Sequence, residues 1–355
     1  MSDKISLLIW PLALIIFGLF LGCGDNKNLT TSQSAPAVTE VKSQTSQPSG
    51  TSSPEPKITV LRAPFPNEPT SPSNLLLVKE LGFLKKHNLD FEFVGAIPSA
   101  QYVAALIGEK IDFGPGSHIN RTIAGISAGA KIKAVVANTE TTKQIPHMVA
   151  LVTKTSQVRK PADLLGKRIG TPNIGGCSEY TPYAWLSKHG VENSRSKVEM
   201  KFLPEKNLEQ ILRQGEIDVA MMHKVPEDVI KKGEFDIIFS DYEVWENDGG
   251  ATPPYFTLQY IKERPDVVRN FVEAWVEVVN WSNANMQEAI NITARLTNQD
   301  PTKLKRSNYS HNGLLKPIHA QVWIDLLIEY GEISPGITVE QVFTNEFNPF
   351  YKPKI

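Results

Sequence analysis

Apolar residues recur along this chain with two periods, and the two periods alternate. Ile58-Thr59-Val60-Leu61 is a β-rich run, followed by a Pro- and Asn-rich loop over 64–73. Leu75, Leu76, Val78, Leu81 and Leu84 then fall on one face of a helix. The pattern goes on to predict a strand at 89–94, a helix at 99–108, a strand at Ile111-Asp112-Phe113, a helix at 119–128 and a strand at 132–136. A second series has a strand at 148–152, a short helix at 161–166, a strand at 167–170 and a loop over 171–180. A helix ending near 189–190 comes next, then a strand at 198–202, a helix at 208–214 and strands at 217–222 and 235–239. The remainder reads as helices over 265–284, 286–296 and 319–330. Strands alternating with helices predict an α/β fold, with largely parallel sheets covered by helices.

One segment occurs twice. Leu106-Ile107-Gly108-Glu109-Lys110-Ile111-Asp112-Phe113-Gly114 returns as Leu212-Arg213-Gln214-Gly215-Glu216-Ile217-Asp218-Val219-Ala220. Each copy reads as a helix end, a glycine free to take the left-handed cap conformation, and a short apolar strand. One α/β plan used twice predicts two lobes with a ligand cleft between them. The long C-terminal helices should pack back on the first lobe. Lobe 1 is therefore expected over 57–150 plus 255–355 and lobe 2 over 151–254, with hinge strands near 148–153 and 255–260.

The N-terminus adds an address. Lys4 opens an apolar run, Ile5 to Leu21, that contains Pro11, is short for a membrane span, and ends in Phe20-Leu21-Gly22-Cys23. It resembles a bacterial lipoprotein signal over 1–22, with Cys23 cleaved and lipidated; the other reading is a retained anchor. Residues 24–56 are rich in Ser, Thr, Gln and Pro, too polar to form a core, and read as a tether behind Cys23. A formal charge of −1 excludes a nucleic-acid-binding field. The only other cysteine, Cys177, has no disulfide partner once Cys23 carries lipid.

Four segments in order carry a family resemblance. They are Ala162-Asp163-Leu164-Leu165-Gly166-Lys167-Arg168-Ile169-Gly170, Lys79-Glu80-Leu81-Gly82-Phe83-Leu84-Lys85-Lys86-His87-Asn88-Leu89, the two Ile-Asp copies, and Arg264-Pro265-Asp266-Val267-Val268-Arg269-Asn270-Phe271. Over about 57–350 the chain resembles the periplasmic solute-binding proteins of ABC importers, in the nitrate/sulfonate/taurine and thiamine-precursor branch. The resemblance implies a two-lobed type II fold and a small-molecule ligand, with a permease and an ATPase as partners. It implies a lipid-anchored monomer on the extracytoplasmic side of the membrane, with no cofactor and no catalysis. Two enzyme types share this fold. One, a desulfinase, uses a first-lobe cysteine; the other, a pyrimidine synthase, uses a cysteine-rich segment; neither feature occurs here. A ligand-sensing receptor domain remains a third reading.

In open α/β sheets, ligands sit beyond the carboxyl ends of the strands. This places Phe65, Ser99, Gly116, Ser117, His118 and Asn138 at the cleft from the first lobe. Gly175, Gly176, Cys177, Ser178, His223, Asp248 and Tyr255 face them. The loops around Gly116 and Gly175 open helices, whose free N–H groups suit an anionic head group. Ser178 or Thr181 is expected to cap the second helix, with Pro182 at its first position. Cys177 reads as a small turn residue, a weak polar contact, or a thiol open to a soft metal. His118, His147 and His223 end predicted strands, but no ligand spacing unites them, so no metal is expected. The acidic stretch 241–248 reads as a solvated face, with Asp248 able to pair with a ligand amine if it turns inward.

Overall fold

The computed structural model describes residues 57–353, apart from Lys224, Pro226, Asn247 and Asp248 and the side chains of Glu227 and Asp228. The signal, Cys23, the tether and Asp248 lie outside the described residues. The strands are β1 (Thr59–Ala63), β2 (Leu89–Phe93), β3 (Ile132–Ala134), β4 (Val149–Thr153), β5 (Arg168–Thr171), β6 (Glu199–Phe202), β7 (Val219–Met222), β8 (Phe235–Ser240) and β9 (Tyr255–Thr257).

The second lobe holds five of them in the order β6-β5-β7-β4-β8. β5 is parallel to β6 and β7, while β4 is antiparallel to both its neighbours, so β4 alone runs against the rest. Its first four residues, Val149, Ala150, Leu151 and Val152, are all buried, as an interior strand with both faces covered requires. β6 lies at the edge and carries Glu199 and Lys201, charges that discourage pairing with another chain.

The first lobe repeats this order in pieces. β1 and β2 are parallel, and β3 and β9 antiparallel. Between the two pairs runs the stretch 111–114, where Asp112 donates its N–H to the Arg62 carbonyl and Gly114 bridges Tyr255. The strand expected at 111–113 is therefore not a regular ladder strand. Its Asp112 carboxylate accepts the Arg62 N–H at 2.6 Å and the Arg62 guanidinium at 2.6 and 3.1 Å. The second lobe has the same device, and there the strand expected from 217 starts only at Val219. Asp218 accepts the Arg168 N–H at 2.8 Å and its guanidinium at 2.9 and 3.1 Å. Both pairs are separated by 50 residues, so the duplicated segment is anchored twice by one Arg–Asp clasp.

The described residues form one compact unit. Helix Pro265–Ala284 is the spine of the first-lobe core: Phe271 packs within 4.8 Å of Phe113, 5.0 Å of Phe256 and 5.3 Å of Trp275. Helix Pro317–Glu329 joins a different cluster, where its Trp323 and Ile324 meet Tyr180 and Trp185 of helix Cys177–Lys188 and Ile119 of helix Ile119–Ser127. This helix packs on the first lobe through helix Ile119–Ser127 and also reaches the second, where Trp323 lies 6.3 Å from Tyr180, so that its core is shared by both. Among the described residues, no helix is long and apolar enough to cross a membrane.

The chain crosses between sheets over 135–148 and 241–254. β4 and β9, expected as the hinge, are hydrogen-bonded into their own sheets, and the crossings run beside them. The crossings are tied together. Thr139 Oγ1 donates to the Gly250 carbonyl at 2.7 Å, and Asp241 accepts the Met148 N–H at 2.9 Å and the Thr141 hydroxyl.

Candidate functional site

Two helices begin at the junction of the lobes. His118 is the N-cap of helix Ile119–Ser127, and Cys177 is the first residue of helix Cys177–Lys188. The loops before them need glycine. At Gly114 a Cβ would strike the Tyr255 ring at 2.1 Å. At Gly116, with φ +112°, it would meet the Thr252 carbonyl oxygen at 2.6 Å. The first-lobe helix start reaches across: Asn120 Nδ2 donates to the Gly175 carbonyl at 3.0 Å and Arg121 to the Ile174 carbonyl at 3.3 Å.

Cys177 is 5% exposed, and its Sγ lies 3.6 Å from His147 Nε2 and 3.5 Å from His223 Nε2. His147 stands on the first crossing and His223 directly after β7. Their rings are 5.1 Å apart, and the His118 ring is 5.5 Å from that of His147. Glu205, the first residue of helix Glu205–Arg213, fixes His223 with both oxygens. Oε1 accepts its N–H at 2.7 Å and Oε2 lies 2.9 Å from Nδ1. Lys305 Nζ donates to the His223 carbonyl at 3.1 Å.

These contacts set the charge. Burial works against a protonated His223, but the Glu205 carboxylate and the Cys177 sulfur outweigh it and raise the imidazole to about 10. Glu205 is the mirror case: burial would lift it, yet His223 and Lys305 hold it at about 2. Burial pushes Lys305 down against the pull of Glu205. His118 is buried without a carboxylate partner and falls to about 3, hence neutral. Its Nε2 is 2.6 Å from the Gly249 carbonyl oxygen, its Nδ1 is 3.1 Å from Asn120 Oδ1, and its ring stands on Trp323 at 4.5 Å. A sulfur, two imidazoles and a carboxylate in line can orient a thiol, hold a metal ion, or present a positive imidazolium to an anion.

A cavity of about 240 Å³ opens beside them, lined by His147, His223, Asn138, Gly116, Tyr102 and Thr252 among others. Asn138 spans its wall, accepting from Asn74 at 2.8 Å and donating to Thr252 at 3.3 Å. A larger cavity of about 590 Å³, lined by Ile230, Ile237, Ile290, Leu304, Lys305 and Arg306, holds none of the residues picked from the sequence. The chemistry lies at the smaller one.

Other candidates fall elsewhere. Phe65 packs edge-on against Phe93 at 5.5 Å, and Ser99 is exposed; neither lines the smaller cavity. Tyr255 is fully buried in β9, because its ring fills the space over Gly114. Ser117 and Ser178 are buried, and Ser178 Oγ has no hydrogen-bond partner. Gly175 takes φ +64° and donates its N–H to Glu179 at 2.7 Å, and Gly176, not Ser178 or Thr181, is the N-cap. Pro182 consequently falls inside the helix, and the Thr181 hydroxyl donates to the Cys177 carbonyl at 2.7 Å. The acidic stretch is not wholly solvated: Asp241 is 2% exposed and opens helix Asp241–Trp245. Glu205 went unrecognised because its only sequence signal was a helix start, and its role depends on the return of β7 beside it.

The profile of a family described as NMT1/THI5 like matches residues 70–289, more than half of the chain. No curated protein matches the sequence. Among solved structures, the chain is similar to the alkanesulfonate-binding protein SsuA from Xanthomonas axonopodis pv. citri bound to MOPS. The TM-score is 0.63 at 17% identity, covering 81% of this chain and 99% of that one. It is also similar to the periplasmic nitrate-binding protein NrtA from Synechocystis PCC 6803, with TM-score 0.63, 14% identity and coverage of 82% and 88%. The desulfurization enzyme DSZB matches with TM-score 0.56, 14% identity and coverage of 81% and 97%. At these identities the likeness establishes the fold, that of the periplasmic binding proteins.

Proposed function

The chain belongs to the NMT1/THI5-like family, and from that premise we propose that it is the solute-binding component of an ABC importer. It captures a small anionic organic molecule between its lobes and presents it to a permease and its ATPase. The observation that carries this reading is the cavity of about 240 Å³ walled by both lobes and both crossings. A ligand touching Gly116 and Asn138 on one side and His223 on the other binds the closed state more tightly and selects it. Among the described residues lining the cavity there is no Lys, Arg, Asp or Glu. The positive charge comes from His223, held protonated by Glu205, and the remaining donors are hydroxyls and amides. Such a lining suits a sulfonate, taurine or nitrate-like group.

Binding alone accounts for this arrangement, with no reaction. In the same reading, Cys23 carries the lipid and residues 24–56 are the tether, so that a monomeric body works on the extracytoplasmic side of the membrane. Mass spectrometry of membrane-fraction protein should find Cys23 acylated; an intact N-terminal segment would remove the anchor. Thermal unfolding with alkanesulfonates, taurine and nitrate tests the ligand class. At 100 times its dissociation constant a true ligand stabilises the protein by about 2.7 kcal/mol. Indifference to all three classes would overturn the anion reading.

A further inference from the structure

We propose that Cys177, His147 and His223 form a binding site for one borderline-soft metal ion of the Zn²⁺ class. The three residues come from separate parts of the chain: a crossing segment, the first turn of a helix, and the end of β7. They converge on a single sulfur, with Nε2 of His147 at 3.6 Å and Nε2 of His223 at 3.5 Å. A tetrahedral Zn²⁺ with bonds of about 2.3 Å to sulfur and about 2.0 Å to nitrogen holds each nitrogen about 3.5 Å from the sulfur. A single cation satisfies the sulfur and both nitrogens at once, and the protons they shared leave to solvent.

The surroundings are those a metal site needs. Glu205 Oε2 faces His223 Nδ1 at 2.9 Å, so the Nδ1–H donates to the carboxylate and Nε2 is aimed at the sulfur. A carboxylate–histidine–metal line of this kind fixes the ring and strengthens it as a ligand. His118 stands next to the set: its ligating atom and those of His147 and Cys177 all lie within 4.8 Å of one another. Both its nitrogens are occupied, by Gly249 and Asn120, so it would join as a fourth ligand only by releasing Asn120. Thiolate with imidazole selects Zn²⁺ or Cu⁺ over Mg²⁺ or Ca²⁺, which prefer oxygen. His147 and His223 also line the 240 Å³ cavity, so the remaining coordination position opens toward bound solute. In that respect the inference rests on the cleft being the solute site.

The test uses the folded protein stripped with a chelator, then titrated with Zn²⁺ against a chromophoric competitor and, separately, with Co²⁺. One ion per chain is expected, and Co²⁺ should give a sulfur-to-metal charge-transfer band with tetrahedral d–d absorption. Cys177→Ala and Cys177→Ser should abolish the band while circular dichroism stays native. His147→Ala and His223→Ala should weaken Zn²⁺ by about 100-fold, and Glu205→Gln by about 10- to 100-fold. His87→Ala, which removes an imidazole lying 2.7 Å from Glu277 elsewhere, should change nothing. Failure to bind a stoichiometric ion, or binding that survives both Cys177 variants, overturns the proposal. The anion screen is run on the stripped protein as well. Anion binding without Zn²⁺ binding defeats the metal site alone, whereas Zn²⁺ binding with no anion response defeats the solute reading alone.

Discussion

Glu109 and Gly215 occupy equivalent places in the two copies of the repeated segment, and both take positive φ, 54° and 73°. The helix-end bonds match as well: Lys110 N–H donates to the Ala105 carbonyl at 2.8 Å, and Glu216 N–H to that of Ile211 at 3.2 Å. The structural register therefore aligns Glu109, not Gly108, with Gly215, and the left-handed residue of the first copy carries a side chain. That conformation costs a non-glycine residue about 1 kcal/mol. Glu109→Gly should stabilise the protein by about 0.5–1 kcal/mol, less whatever the added freedom of the unfolded chain removes. Urea unfolding reads this directly, and a lower midpoint would show that the Glu109 side chain compensates its own strain. The sequence repeat already sets Glu109 opposite Gly215, but the cap role was read onto Gly108, the nearest glycine, where the backbone assigns it to its neighbour.

At the scale of an element, helix Pro317–Glu329 carries a built-in sensitivity to acid. His319, its third residue, is 1% exposed, its Nδ1 is 3.4 Å from the Lys316 N–H, and its Nε2 has no hydrogen-bond partner. Burial, helped by the Lys316 charge, pushes the imidazole down to about 4. The folded state thus binds this proton less readily than the unfolded chain, whose histidine titrates near 6.5. The stability tied to neutral His319 is complete above about pH 6.5 and is lost as pH falls toward about 4, to a limit of roughly 3 kcal/mol. Buried His118 adds to the slope with the same sign. Denaturant midpoints between about pH 7 and pH 4.5 should therefore fall less in His319→Gln than in the parent. Equal slopes would mean that His319 is protonated without cost. The helix itself was legible from its apolar spacing. Its attachment was not, since the spacing says that a face is buried and leaves open which core receives it.

At the scale of the molecule, the two crossings decide how the lobes are joined, and Asp241 is their main polar tie. It is almost fully buried and binds the Met148 N–H and the Thr141 hydroxyl from the opposite crossing. Asp241→Ala leaves a buried backbone N–H without its acceptor, so a loss of about 2–3 kcal/mol is expected. Hydrogen exchange should show the loosening concentrated over 141–148 and 241–250. Loosening spread evenly over both sheets would contradict a hinge role. The acidic stretch had read as a solvated face because acidic composition records average preference. Asp241 is buried because two main-chain segments converge on it.

The order of strands and helices, their duplication and the loops that face one another follow from local periodicity and turn chemistry. These act over a few residues and can be read along the chain. The grouping of His147, Cys177, His223 and Glu205 cannot be read that way. It depends on which strand returns beside which, and that is settled by long-range packing of the two sheets and the shared core around Trp323. Tyr255 reverses direction for the same reason: a residue beyond a strand end reads as cleft lining, until a glycine on the neighbouring segment leaves a space its ring can fill.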